Sequence, residues 1–298
     1  MGGWMSSASA SARHVAPVVL TAIWLGMIGV LAKWITWPPL AIVCARCGVS
    51  VSVLALLLVL RPRREPARTS LRAHWPRLLV SGLLLGAHWG TLFWAYKLAP
   101  VGPVVVAVFT FPLMASILEP FWFGARPAPR QIWAALLGLA GIALISLQGS
   151  ETGADGHARV GVALGLVSAL CFALRGIYSR KLVAETDAIT IMAIQTGIVA
   201  ILFLPALIWV PAVLFDTREL VLIAVLGVAF TALPHTVIVW ALKRLSVAAS
   251  GIIGSLQVLS GIALAVFFLG ESPTISIWIG AFLVVAAVVW ESVAAAKS

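Results

Sequence analysis

The chain has 298 residues, of which 62% are hydrophobic and only 10% charged, and its mean hydropathy is +1.09. A soluble domain of this length cannot hide so much apolar surface in one core, so most of that surface must face lipid. The net charge of +10 is divided among short segments between apolar runs, and the lack of a soluble basic face excludes a nucleic-acid-binding protein.

Ten apolar runs are long enough to cross a hydrocarbon layer of about 30 Å, which takes about 20 helical residues. The sequence therefore predicts an all-α integral membrane protein with ten transmembrane helices. In chain order the runs are 15–34, 38–60, 77–98, 103–123, 130–148, 160–180, 188–210, 219–242, 247–268 and 275–294.

The basic residues between these runs predict the orientation of the chain. Most of them fall on one side of the membrane if the helices alternate in direction, and the other side collects only Lys33, Lys97, Arg159 and Arg218. Lys and Arg near helix ends are retained in the cytoplasm. Both termini are therefore predicted to be cytoplasmic.

The second half of the chain repeats the first at a constant offset. Shifted by 146 positions, Trp94 falls on Trp240, Lys97 on Lys243 and Pro127 on Pro273. We predict two five-helix repeats, 1–148 and 160–298, joined by an external linker at 149–159. Because each repeat has an odd number of helices, the second must enter the membrane upside down. In transporters with such inverted repeats the substrate site lies between the halves, near the midplane.

Two histidines occupy nearly equivalent places in the repeats. His88 points about 200° away from the glycine stripe of Gly82, Gly86 and Gly90 on the third run, at 100° per residue. An imidazole is unfavourable in lipid, so His88 faces either a cavity or a neighbouring helix to which it is hydrogen-bonded. His235 follows Pro234, the repeat equivalent of His88. It is a candidate for the same solute pathway or for a structural hydrogen bond.

The fourth run is interrupted around Pro112, which removes one backbone donor and obstructs the preceding turn. The ninth run has small and polar residues at the matching positions. Tight helix packing would explain these residues, and so would a solute site with bending helices. For the second alternative, the candidate solute contacts are Phe109, Phe111, Gln257 and Ser260, and the candidate hinges are Pro112, Gly251 and Gly254.

Four large side chains lie well inside predicted helices. Trp24 is a candidate contact for the apolar part of a solute, and Trp89 is better explained by filling space between helices. Arg46 and Arg175 are costly at this depth unless they are paired or near water. Either arginine could attract a carboxylate, and Arg175 has the alternative of reaching the cytoplasmic surface.

No pattern for enzymatic chemistry is present in the sequence. There is no G-x-S-x-G elbow, no metal-spaced cluster and no phosphate-binding G-x-x-x-x-G-K loop. We expect a protein that is not an enzyme and that carries neither a cofactor nor a metal.

The two copies of W-A-x-K, at 94–97 and 240–243, and of G-x-x-P, at 124–127 and 270–273, resemble the EamA units of the drug/metabolite transporter superfamily. The second copy keeps the family's Gly270-Glu271, whereas the first has Ala125 in place of the glutamate. Within the family the chain looks most like the amino-acid exporters of the YddG type. That resemblance rests on the overall pattern, on His88 and on the aromatic residues of the fourth run.

The resemblance implies a secondary transporter of the bacterial inner membrane that exports neutral amino acids, aromatic ones included, or related metabolites by alternating access. Another cargo, such as a nucleoside or a cationic compound, is the first alternative. A membrane enzyme or lipid-handling protein is the second. The expected partners are a small-molecule substrate and membrane lipid, with no nucleic acid. The sequence does not decide whether transport is coupled to protons or is facilitated diffusion. It also does not decide whether the protein is a monomer or a homodimer.

Overall fold

The computed structural model of the protein describes residues 17–61, 68–122, 124, 126–147 and 155–295, and within these ranges the chain forms helices and no strands. The predicted linker lies partly outside them, since 149–154 are not described and Asp155 already begins a helix. The all-α prediction is confirmed.

Helical structure coincides with each of the ten apolar runs, and we number the elements accordingly. They are α1 Pro17–Trp34, α2 Pro39–Leu60, α3 Arg68–Leu98, α4 Val101–Trp122, α5 Pro129–Leu147, α6 Asp155–Val183, α7 Ala188–Leu202, α8 Thr217–Ala241, α9 (Val247–Gly254 and Leu256–Leu269) and α10 Ile275–Ala295. Among the described residues, α1, α2, α3, α4, α6 and α8 are long and apolar enough to span a membrane, and the other four contain shorter apolar helices.

Local chemistry fixes several helix ends. Pro39 starts α2, where a missing backbone N–H costs nothing. The carboxylate of Asp187 accepts from the first free amides of α7, and Asp216 does the same for α8. Gly270 ends α9 with φ +66°, a left-handed conformation that glycine adopts without strain.

The seventh run is shorter as an α-helix than its apolar length suggests. Its α-helical part stops at Leu202, and two short 3₁₀ helices follow, Leu204–Trp209 and Ala212–Leu214. Pro205 cannot donate a backbone hydrogen bond to the preceding turn, and Pro211 interrupts the chain again six residues later. The run of 188–210 is therefore apolar throughout but not one α-helix.

Four of the longer elements are interrupted. α1 has a turn at Gly26 and Met27, α4 breaks at Phe109 and Thr110, and α9 breaks at Ser255. α8 widens into a π-helix at Val228–Ala232. Such interruptions are tolerated in membrane proteins where neighbouring helices or polar groups satisfy the freed backbone.

Helices from the two halves pack against each other in equivalent pairs. α2 lies along α7, α4 along α9 and α5 along α10, and each pair joins the same position of the two repeats. α3 and α6 form a further extensive contact between the halves. This pairing is the arrangement expected when a pseudo-two-fold axis relates the repeats.

Hydrogen bonds and ion pairs join helix ends at two opposite faces of the bundle. On what we call the basic face, Arg61 pairs with Asp187 at 3.3 Å, and Arg180 pairs with Glu119. On the opposite face, the Thr36 amide donates to Glu219 at 3.0 Å. Every one of these contacts joins ends that the alternating topology predicts to lie on the same side.

A single glycine allows α8 to approach α2 closely. A Cβ added at Gly227 would lie 2.8 Å from the carbonyl oxygen of Arg46 and 2.7 Å from the Cβ of Val49, whereas a Cβ at Gly48 would meet nothing within 4 Å. We expect Gly227→Ala to lower the free energy of unfolding by about 1–3 kcal/mol, because backbone must move. The matched control Gly48→Ala should leave it unchanged or raise it by up to about 1 kcal/mol.

Thermal unfolding of the purified protein in detergent, followed by tryptophan fluorescence, measures both changes. Equal midpoints for the two variants would contradict the close contact between α2 and α8.

Candidate functional site

A cavity lies between the two halves, on the basic-face side of the centre of the bundle. Its opening lies at the basic face, between the first half of α1 and the nearby ends of α6, α8 and α9. From there it extends inward to the middle of α3 and α4. Its lining includes Val18, Thr21, Ala22, Leu25, Trp89, Phe109, Phe111, Phe172, Arg175, Gly176, His235, Leu242, Val247, Ser250, Gly254 and Gln257.

The cavity volume is about 60 Å³, counted as the space open to the centre of a water molecule. One water needs roughly 10–15 Å³ by this measure, so the cavity holds a few waters. A larger solute must push the lining side chains or the helices apart.

Aromatic rings form one continuous wall. The ring centres of Phe109 and Phe111 are 5.6 Å apart, and Phe111 meets Phe172 edge-on at 4.7 Å. Trp89 meets His235 edge-on at 5.1 Å. Rings arranged in this way present both faces and edges, which suits an aromatic or otherwise flat apolar group.

Arg175 supplies the positive charge of the cavity. It is 1% exposed, and its guanidinium donates to the amide oxygen of Gln195 from Nε at 3.1 Å and from Nη2 at 2.7 Å. Gln195 in turn donates to Ser81 and Ser179, which fixes its orientation. Within the described ranges, no carboxylate lies at ion-pair distance from Arg175, so its charge is solvated only by dipoles and by the face of Phe172, 5.7 Å away.

His235 contributes an imidazole without a hydrogen-bond partner. It is 4% exposed, and neither ring nitrogen bonds to any described residue. Burying such a group unpaired is unfavourable. A polar ligand in the cavity would supply the missing partner.

Gln257 and Ser260, both predicted contacts, occupy different positions. Gln257 lines the cavity with its half-buried side chain. Ser260 does not line it and instead donates to the Gln257 carbonyl at 3.3 Å, packed against the turn at Gly26. Ser260 thus supports the helix segment that carries Gln257.

His88 lies behind the wall and not in it. Its Nδ1 is 2.7 Å from the Ser168 hydroxyl and 3.0 Å from the Ser168 carbonyl, and its ring stacks on Phe172 at 4.5 Å. This is the helix-to-helix alternative considered from the sequence. At the repeat offset of 146, Ser168 corresponds to Ala22, which has no hydroxyl to offer His235.

Trp24 lies at the outer surface of the bundle. Its side chain is 55% exposed, its Nε1 donates to the Ala229 carbonyl at 3.0 Å, and it stacks on Phe230 at 5.1 Å. The π-helical turn of α8 makes that carbonyl available. Trp24 therefore faces the lipid side, and Trp89 is the tryptophan that lines the cavity.

The three predicted hinge residues come together where α4 and α9 cross. A Cβ at Gly251 would lie 2.6 Å from the Cβ of Pro112, and a Cβ at Gly254 would lie 3.3 Å from the ring of Phe109. The break in one repeat thus packs on the break in the other. Bending at either break moves a wall of the cavity.

Sequence reasoning did not single out Phe172, and it left Arg175 open between two explanations. The signal that could have found Phe172 is its spacing from Arg175, three residues along α6, which places both on one helix face. Arg46 is also fully buried but lies outside the cavity lining, with its guanidinium 4.4 Å above the Trp89 ring and its Nε donating to Thr231 at 2.8 Å.

On the opposite face, hydrogen bonds join helix ends, two sets of them between the halves and one within the first half. The carboxylate of Glu271 accepts from the Val101 amide at 2.9 Å, at the start of α4. Glu219 accepts from both the amide and the hydroxyl of Thr36, and Lys97 donates to the Ile35 carbonyl. Negative charge at a helix N-terminus is stabilised by the free amides and the helix dipole.

Comparisons with known proteins agree with this architecture. The EamA-like transporter family model matches residues 15–147 and 159–292. The uncharacterized transporter YvbV of Bacillus subtilis is 30% identical over 164 residues, covering 54% of this chain and 52% of YvbV. The aromatic amino acid exporter YddG of Ancylobacter novellus is 31% identical over 180 residues, covering 59% of this chain and 52% of YddG. The chain thus matches about half the length of these relatives.

A solved crystal structure shares the fold over nearly the whole length. It covers 97% of this chain and 98% of its own, with a TM-score of 0.67 and 19% identity.

We expect His88 and Ser168 to be coupled in stability. His88→Asn and Ser168→Ala should each destabilise the protein, and the double variant should cost less than the sum, with a coupling energy of about 0.5–2 kcal/mol. Unfolding of the four proteins in detergent measures the coupling. His235→Asn combined with Ser168→Ala is the matched control and should be additive. A coupling of zero for His88 would show that the two side chains do not interact.

Proposed function

The chain belongs to the EamA-like transporter family and is a multi-pass protein of the bacterial inner membrane, and from this premise we propose that it exports neutral amino acids, aromatic ones included, or closely related metabolites by alternating access. The observation that carries the proposal is the cavity between the halves, which combines an aromatic wall with a buried arginine. The similarity to a protein named as an aromatic amino acid exporter supports it.

The charges around the cavity argue against a cationic cargo. Arg175 is the charged residue among the described lining, which contains no acidic side chain. Glu119, which lies in α4, is paired with Arg180 at the basic face. A cationic drug would meet repulsion and no counter-charge, whereas a carboxylate would meet its counter-ion.

The proposed mechanism has one face closed while the other admits the solute. The basic face is cytoplasmic by the distribution of Lys and Arg, so the cavity of this structure is on the cytoplasmic side. Glu219, Glu271 and Lys97 hold the external face closed through bonds between the two halves and between neighbouring helix ends. Export requires these bonds to break while the α4 and α9 breaks bend and the cytoplasmic side closes.

The topology proposed here is two five-helix halves, 1–148 and 160–298, that cross the membrane ten times in opposite senses. Lys97 and Lys243 are equivalent in the repeat, so this topology places them on opposite sides. Lys97→Cys should react with a membrane-impermeant thiol reagent added to intact cells, and Lys243→Cys only after permeabilisation.

The native residues Cys44, Cys47 and Cys171 are replaced first, so that only the introduced thiol reports. Arg218→Cys, at the predicted external start of α8, is the positive control. Equal labelling of the two lysine positions from outside would overturn the inverted arrangement.

Transport by the purified protein tests the function directly. Liposomes that contain the protein and are loaded with unlabelled phenylalanine should accumulate labelled phenylalanine by exchange faster than protein-free liposomes. Phe111→Ala removes part of the aromatic wall and should lower the exchange rate about tenfold, since burying a ring contributes on the order of 1.5 kcal/mol or more.

Phe121→Ala is the matched control, because Phe121 is 58% exposed on the same helix, and it should exchange at the parental rate. Exchange no faster than in empty liposomes, for phenylalanine and for every other neutral amino acid tried, would defeat the proposal.

A further inference from the structure

We infer that the cavity recognises the polar end of its solute through the carboxylate and not through the amino group, with Arg175 and His235 as the contacts. Aromatic monocarboxylates without an amino group are then ligands of this site. The inference rests on the proposed function, because it concerns the same cavity. It narrows the solute class from amino acids in general to compounds that join a flat apolar group to a carboxylate.

Arg175 is the natural partner of that carboxylate. Its guanidinium is held by Gln195 through Nε and Nη2, and Nη2 also contacts the Met192 sulfur at 2.8 Å. These partners are neutral dipoles, so the positive charge is oriented but not balanced within the described structure. An oriented guanidinium at a cavity wall binds a carboxylate with short, charge-assisted hydrogen bonds.

His235 provides the second, independent observation. Both of its ring nitrogens are buried and unpartnered, and the ring lies in the cavity wall 6.4 Å from the centre of the Phe172 ring. The Arg175 guanidinium lies 5.7 Å from that same ring. Phe172 thus contacts both a charged donor and an imidazole that lacks a partner, and a carboxylate placed in the cavity can accept from Arg175 or from the protonated ring nitrogen of His235.

The ammonium group of an amino acid has no oppositely charged partner in the described cavity lining. The described lining contains no carboxylate, and the acids nearest to the helix ends are engaged elsewhere. Glu119 pairs with Arg180, Glu219 accepts from the Thr36 amide, and Glu271 accepts from the Val101 amide. An ammonium group can meet only neutral acceptors such as the Gln257 amide, while it adds a second positive charge to a cavity that already holds Arg175. Removing the amino group therefore costs little and leaves the charge balanced.

Three ligands of matched shape separate the two groups. Phenylalanine carries both the carboxylate and the ammonium, 3-phenylpropionate only the carboxylate, and 2-phenylethylamine only the ammonium. Calorimetric titration of the purified full chain in detergent at neutral pH gives the Kd of each. We expect 3-phenylpropionate to bind at least as tightly as phenylalanine. We expect 2-phenylethylamine to bind about 10- to 100-fold more weakly than 3-phenylpropionate, the factor that a charge-assisted hydrogen bond accounts for.

Variants of the two arginines assign the effect to the cavity. Arg175→Gln should weaken 3-phenylpropionate about 10- to 100-fold, and Arg175→Lys should restore part of the affinity by restoring the charge. Arg61→Gln is the control, because Arg61 is an arginine of the basic face that lies outside the cavity lining, and it should leave the Kd within about threefold of the parent. If Arg175→Gln does not fold, the parental ranking of the three ligands decides alone.

The outcomes distinguish this inference from the proposed function. If phenylalanine exchanges in liposomes but 3-phenylpropionate does not bind, the inference is overturned and amino-acid export stands. If 3-phenylpropionate binds but no amino acid exchanges, the inference stands and the proposed cargo is wrong. If 2-phenylethylamine binds as tightly as 3-phenylpropionate, or if Arg61→Gln weakens 3-phenylpropionate as much as Arg175→Gln does, carboxylate recognition by Arg175 is overturned.

Discussion

The structure depends on how two arginines are accommodated inside an apolar bundle. Arg46 and Arg175 are 0% and 1% exposed, and neither has a carboxylate partner among the described residues. A bare cation in such surroundings is strongly unfavourable. The chain surrounds both arginines with oriented dipoles and aromatic faces. The dipoles are hydroxyl, amide and carbonyl oxygens, and the faces belong to Trp89, Phe93 and Phe172.

Several irregular features follow from that requirement. The π-helical turn of α8 directs the Phe230 carbonyl and the Thr231 hydroxyl toward Arg46, and Thr231 itself bonds back to the Leu226 carbonyl five residues earlier. The Gln195 amide joins α6, α7 and α3 through Arg175, Ser179 and Ser81. These bonds hold the cavity wall in place, so the residues that stabilise the buried charges also form the solute site.

The sequence predicts the positions of the helices and the break around Pro112, because long apolar runs and prolines act locally, but it does not predict the turn in α1, the π-helix in α8 or the early end of α7. The contact between Pro112 and Gly251 does not follow from the repeat offset, which matches Pro112 with Val258. The direction of individual side chains does not follow. Trp24 and Trp89 look alike in sequence, and only the π-helical turn, which brings the Ala229 carbonyl and Phe230 to Trp24, turns it outward. Arg175 lies near a helix end, and only Gln195 on another helix shows that it stays inside.

The hydrogen bonds that Glu219 and Glu271 accept at the opposite face have a kinetic consequence in the proposed orientation. In the proposed mechanism they favour the conformer that offers the pocket to the cell interior. Solute inside then half-saturates the carrier at a lower concentration than solute outside, because outside solute must wait for the rarer conformer. Without an energy source, the final concentration ratio across the membrane is unaffected by this preference. In that mechanism the two glutamates favour filling of the carrier from the cell interior and leave the end point of the flux to the gradient.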